Sequence, residues 1–238
     1  MEKRPKIVLW DLEATNLNAN FGYMLCFGYK YLDEKKTHVV SIRDFPRHKK
    51  DPVDDRMVVQ EAKRVLEDAD MWVTWYGRRF DVPYVNTRLM HHKLEPLGPV
   101  AHVDGWEIAR KHLKFHSNRL AAVAEFLGVG QKTPLSGPIW VKAGAGDTCS
   151  IKYIEKHCRQ DVVVLEEVYE RIKVVWPHHP NLSLVYEEQR CPICGVKGRL
   201  QRRGSRITKM RKHQRYQCQK CGGWSHGKSA AVKGVVVR

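Results

Sequence analysis

Lys6-Ile7-Val8-Leu9-Trp10-Asp11-Leu12-Glu13 is the stretch on which the reading of this chain turns. Its first part, Lys6–Trp10, is short, apolar and β-branched, the pattern of a buried strand. Its second part sets two carboxylates two positions apart just beyond that strand. If the extended form continues through Glu13, Asp11 and Glu13 point to the same face. Two adjacent acids repel, and each favours protonation over sharing a dry site. A divalent cation removes that conflict. A few hard oxygen ligands suit Mg²⁺ or Mn²⁺, with water and a phosphate completing the shell. Taken alone, Asp-x-Glu after a strand is read as easily as surface charge.

Outward from this strand, Met24–Leu32 and Thr37–Ile42 read as two more strands across a turn at Asp33–Lys36. Asp54–Ala69 carries a helical apolar stripe with Asp54 or Asp55 as its cap. Met71–Trp75 is a fourth strand, Val82–His92 a helix with Pro83 in its first turn, and Val100–Val103 a fifth strand. Helices follow at Asp104–Leu113 and Asn118–Leu127. The Pro- and Gly-rich Gln131–Asp147 is expected to be a loop. Thr148–Val175 is the longest helix, ending before Pro177. Its apolar walk Ile151, Ile154, Cys158, Leu165, Val168 includes Asp161 at a position calling for a buried residue. A carboxylate there is costly unless it is paired or holds metal. Three strands, a helix, then alternating strands and helices predict an α/β fold: a mixed five-stranded sheet with helices on its faces.

Two further segments carry candidate chemistry. Trp75-Tyr76-Gly77-Arg78-Arg79-Phe80-Asp81 is a strand and turn ending in an acid, which read alone is a helix cap. His157 and Asp161, four apart, share a helix face, which read alone is a buried hydrogen-bonded pair. The three segments together, in this order and spacing, resemble the DEDD (DnaQ-like) 3′–5′ exonuclease superfamily over roughly residues 6–175. Trp10–Asn16 looks like its first motif. His102-Val103-Asp104 with Leu120–Gly128 looks like the middle of the exonuclease domain of B-family polymerases. Two positions differ: Tyr76-Gly77 stand where the second motif carries Asn, and His157 stands where the third usually has Tyr.

The resemblance implies an RNase H-like fold and two Mg²⁺ or Mn²⁺ ions. Asp11, Glu13 and Asp161 would hold one of them. Asp11 would also touch the second, which Asp81 completes, partly through water. Such a pair activates an attacking water and stabilises a leaving oxygen, and His157 is the candidate general base.

The chain has 238 residues, a mean hydropathy of −0.51 and a net charge of +16. That excess is localised. Residues 190–238 hold 14 Lys/Arg and no acid, leaving 28 Lys/Arg against 26 acids in the preceding 189. A basic module beside a nearly neutral domain points to a phosphate-rich partner, or else to a solvated face. Of seven cysteines, four form Cys191-Pro192-Ile193-Cys194-Gly195 and Cys218-Gln219-Lys220-Cys221-Gly222, separated by 23 residues. Two thiolate knuckles of this kind resemble a zinc ribbon, with one structural Zn²⁺ and no open position. Between and beside them, Arg199, Arg202, Arg203, Arg206, Lys209, Arg211, Lys212 and Arg215 are candidates to neutralise phosphates. Trp224 either stacks on a base or packs the small core. Val232–Arg238 is left open between a free tail and an added edge strand.

These readings predict a nuclease domain over residues 1–176, a linker over 177–189 and a basic ribbon over 190–238. The substrate is single-stranded or end-exposed DNA or RNA. The leading expectation is a two-metal 3′–5′ exonuclease. A silent nucleic-acid-binding adaptor and an RNase H-like structure-specific endonuclease stand beside it. No stretch approaches the roughly 18 apolar residues of a membrane span. The start lacks an apolar leader, so an intracellular place in cytoplasm or nucleoid is expected.

Overall fold

The first strand is longer than its apolar part. In the computed structural model, β1 runs Ile7–Ala14, so Asp11 and Glu13 both lie inside the sheet. Residues 4–32, 34–130, 133–186, 188–209 and 211–230 are described; the tail from Val232 lies outside them. β2 (Met24–Tyr31) pairs antiparallel with β1, and β3 (His38–Ser41) antiparallel with β2. The helix α1 (Arg56–Glu67) returns the chain to β4 (Met71–Thr74), which lies parallel to β1. After α2 (Asp81–His91), β5 (Ala101–Asp104) lies parallel to β4. The sheet order is β3-β2-β1-β4-β5. This is the expected mixed five-stranded sheet. The return through α1 obliges β4 to run parallel.

Then follow α3 (Gly105–His112), α4 (Leu120–Leu127), α5 (Gly137–Gly144) and α6 (Thr148–Ile172). α5 overturns the expected loop. Pro138 sits in the helix's first turn, where its missing N–H is not needed, and Gly144 ends it. The residues read as breakers are terminal ones, and Ala143 between them is buried. The core is filled by Trp10, Phe27, Leu66, Val85, Ile151 and Ile154.

Asp55 also departs from its expected role. It precedes α1 but makes no side-chain cap bond. Fully buried, it accepts from Arg88 Nη2 and Nε at 2.7 and 2.8 Å, from the Met24 amide at 2.8 Å, and pairs with His92 Nε2 at 2.6 Å. Arg88 also donates to the Ala19 carbonyl at 3.2 Å. A buried carboxylate satisfied on every side ties α1 and α2 to the start of β2 and the loop before it.

One compact unit spans Lys6–Ile172, and a second is built from the chain after it together with the residues before Lys6. In the second, β6 (Leu200–Ile207), β7 (Lys212–Cys218) and β8 (Trp224–Ala230) form an antiparallel sheet in that order. β6 from Gln201 onward is exposed on both faces. The buried core there is Cys191, Ile193 and Cys218. Leu182, in the segment expected to link the domains, is buried, and its amide donates to the Pro192 carbonyl at 2.8 Å. Among the described residues, no helix is long and apolar enough to cross a membrane.

Candidate active site and metal centres

Three elements deliver the acids. β1 carries Asp11 and Glu13 on one face, as the alternation of a strand requires. The turn after β4 delivers Asp81, 4% exposed, at the first position of α2. Phe80, not Asp81, occupies the cap position, so Asp81 does not play the cap role. α6 delivers His157 and Asp161, one turn apart and both buried. Together these five residues line one cleft of about 210 Å³, with Leu12, Trp75, Tyr76 and Phe80. It opens at the carboxyl ends of the parallel strands, where open α/β sheets bind ligands.

His157 Nε2 stands 3.8 Å from Glu13 Oε1 and 3.7 Å from Asp161 Oδ2. Ligand atoms of Glu13, His157 and Asp161 all lie within 4.8 Å of one another, and those of Asp11, Glu13 and Cys158 do likewise. Carboxylates this close repel unless a cation or protons stand between them. The donor set is oxygen-rich and fits a hard divalent ion. Asp81 lines the same cleft but belongs to neither tight group.

Cys158 was read only as a core position. It lies beside the acids because α6 comes down close on β2. Opposite Asp11 in the register stands Gly28, where a Cβ would meet Cys158 Sγ at 2.7 Å. The Cys158 thiol is 3.7 Å from the Asp11 carbonyl. Its hydrogen bond with Cys26, and then burial, push it well above the usual thiol range. As a thiol it donates to the Asp11 backbone carbonyl. Its place three residues before Asp161 on the same helix stripe was the available signal.

Gly77 replaces the expected Asn for a steric reason. A Cβ there would lie 2.4 Å from Thr74 Oγ1. Tyr76 before it takes φ +70°, and the buried Asp104 holds this turn. Asp104 Oδ1 accepts from the Tyr76 and Trp106 amides at 2.9 and 3.0 Å, and Oδ2 from Arg78 at 3.1 Å.

In the second unit, the four knuckle cysteines bring their sulfurs within 4.8 Å of one another. Cys191 to Cys221 and Cys194 to Cys218 are each 3.8 Å apart. A disulfide needs about 2.05 Å, whereas sulfurs about 2.3 Å from a tetrahedral ion stand about 3.8 Å apart. The two knuckles share one turn: the Gly195 amide donates to the Cys191 carbonyl and the Gly222 amide to the Cys218 carbonyl, each at 2.9 Å. Both glycines take positive φ, +66° and +76°. Burial raises the Cys221 thiol to about 11, while the Cys194 thiol beside it draws Cys191 down to about 5. Crowded thiols ionise unevenly until a cation lets all four do so.

Arg199, Arg202, Arg203, Arg206, Lys209, Arg211 and Lys212 are exposed. Arg215 is half-buried and lies over the Trp224 ring at 4.2 Å. Trp224 is 46% exposed, so it is not the core of the ribbon.

The sheet order, the helices on its faces and acids from three elements at the strand ends define a nuclease fold of the RNase H type. The family model described as RNase_H superfamily matches residues 8–173, and the chain belongs to that superfamily. Among solved structures it is similar to the family B DNA polymerase from the hyperthermophilic archaeon Pyrobaculum calidifontis. The TM-score is 0.56 at 17% identity, covering 73% of this chain and 26% of the polymerase. This chain therefore spans about a quarter of that protein's length. The likeness agrees with the expected resemblance to a B-family exonuclease domain. No curated protein matches the chain.

Proposed function

We propose that this chain is a metal-dependent 3′–5′ exonuclease that hydrolyses phosphodiester bonds of DNA or RNA. In this reading its zinc ribbon tethers it to the strand. The observation that supports it most is the convergence of Asp11, Glu13, Asp81, His157 and Asp161 in one cleft from three separate elements. Asp11, Glu13 and Asp161 hold one divalent ion; Asp11 and Asp81 hold the other. When bound, the pair supplies a water activated at neutral pH and charge stabilisation for the leaving oxygen.

The chain's own residues do the rest. The sheet fixes Asp11 and Glu13 on one face, and α6 fixes Asp161 against them, so the acids need no reorganisation. His157 Nε2, between Glu13 and Asp161, takes the proton of the attacking water. Trp75, Tyr76 and Phe80 wall the cleft and exclude bulk water from the scissile phosphate. In the ribbon, Cys191, Cys194, Cys218 and Cys221 hold one structural Zn²⁺. Its exposed Arg and Lys side chains bind phosphates with little regard for sequence, and Trp224 is available to stack.

The test is digestion of end-labelled single-stranded DNA and RNA with Mg²⁺ or Mn²⁺, beside circular substrate. A ladder receding from the 3′ end, lost in Asp11→Ala and with the circle intact, is the expected result. Cleavage of the circle would make it an endonuclease. No digestion with either metal would leave a nucleic-acid-binding protein.

A further inference from the structure

A second feature begins at the cleft wall and extends beyond it. Tyr76, at the cleft wall, is 40% exposed. Its ring meets Trp106 edge-on, with centroids 4.9 Å apart. Two guanidiniums lie over the Trp106 indole, Arg79 at 5.4 Å and Arg110 at 5.0 Å. Both arginines are exposed, and among the described residues neither pairs with a carboxylate. Arg78, between them in the turn, is instead 4.0 Å from Glu107. A side chain recruited only for surface charge balance would resemble Arg78. Two exposed cations at one aromatic ring remain available to phosphate.

The arrangement is also built. One buried carboxylate, Asp104, accepts from the amides of both Tyr76 and Trp106, fixing the two rings together. Tyr76 takes a left-handed φ of +70°, which a tyrosine avoids. Gly105 lets Trp75 pack flat beneath, since a Cβ there would lie 2.5 Å from its ring. Such strain persists where the surroundings over-determine it, and here they aim Tyr76 at the mouth of the cleft.

We propose that Tyr76, Trp106, Arg79 and Arg110 form a strand-holding platform on the nuclease unit, gripping single-stranded nucleic acid as it leaves the cleft. Bases stack on the exposed Tyr76 ring, which Trp106 supports edge-on, and the arginines take two phosphates of the backbone. The platform rests on the reading that the substrate is nucleic acid, but not on turnover. It gives the nuclease unit, nearly neutral overall, a local grip independent of the basic ribbon.

The test uses the full chain with Ca²⁺ in place of Mg²⁺ and a single-stranded oligonucleotide carrying 5-iodouracil. Irradiation is expected to crosslink Trp106 or Tyr76, besides any site in the ribbon. Trp106→Ala is expected to weaken binding about tenfold, the scale of one lost base stack, with Trp106→Phe recovering most of it. Arg110→Gln, a surface change that leaves folding intact, should lower the slope of log affinity against log salt by about 0.7, one phosphate on a single strand. Crosslinks confined to residues 190–230, with unchanged affinity and slope in both variants, would overturn the platform. Crosslinking at Trp106 in a chain that digests no linear substrate would instead overturn the exonuclease reading and uphold the platform.

Discussion

Each acidic residue admits an innocent explanation until its neighbours are known. Asp81 could cap a helix and Asp161 could pair with His157. What distinguishes them is that His157 sits almost equally far from Glu13 and Asp161, on two different elements. If His157 takes the proton, His157→Ala should lower kcat by about 10²- to 10⁴-fold. The metal concentration for half-maximal activity should stay unchanged. A large rise in that concentration would make His157 a ligand instead, so a Mn²⁺ titration of the variant decides. His102 shows the opposite use of an imidazole. Burial first, then Arg78, drive its pKa down to about 3, while Nε2 stays 2.8 Å from Thr74 Oγ1. Above about 6.5, the ordinary value, it is neutral folded or unfolded. Below that, the unfolded chain takes up a proton that the folded one refuses until about 3. Stability should therefore fall with acid across that window, by at most about 1.4 kcal/mol per pH unit from this group. Urea unfolding at pH 7, 5 and 4 should show a shallower fall for His102→Gln. Parallel curves would refute the burial account.

The elements reveal what the acids need behind them. The periodicity of α6 predicted that Asp161 faces inward, but not how deeply the helix sits on the sheet. Gly28 sets that depth. Gly28→Ala places a Cβ 2.7 Å from Cys158 Sγ and 3.3 Å from Val162, which should destabilise the protein by about 1–3 kcal/mol. It should also weaken divalent-metal binding as Asp161 is pushed away from Asp11. Adding Cys158→Ala removes the obstructing sulfur, and the double variant should recover part of the loss. Strict additivity in thermal melts would show that the two do not touch. α5 teaches a different lesson. Pro138 and Gly144 were counted as loop signals, yet each stands at an end of the helix, where its backbone preference helps. Composition within a window does not report position within a turn, and only the packing of Ala143 shows which applies.

At the scale of the whole molecule, the two units differ in what holds them. Lys6–Ile172 closes a core of large apolar residues between sheet and helices. Among the described residues the second unit buries few side chains, and its strand β6 is exposed from Gln201 onward. With so little core, the metal proposed for the four cysteines is expected to carry most of this unit's folding free energy. Treatment with a strong zinc chelator should therefore abolish the ribbon's structure and leave a separate melting transition for the nuclease unit. Cys194→Ser should do the same, and both should lower the salt sensitivity of nucleic-acid binding. A single unchanged transition after metal removal would show that the ribbon folds without its ion.

The sequence by itself determined the order of the first five strands and of the helices other than α5, the acids and their spacing, the two cysteine knuckles and the concentration of excess positive charge in the last 49 residues. These are local facts: strand alternation, helical period and ligand spacing are set by geometry over a few residues. Only the tertiary structure decided that β1 extends through Glu13, that Gly28 lets Cys158 and Asp161 close on Asp11, and that Gly77 must be glycine against Thr74. It also decided that Asp104 couples Tyr76 to Trp106 across two strand ends. Each depends on the approach of residues far apart in the chain. That approach is set by volume and close packing, which no period along a single segment records.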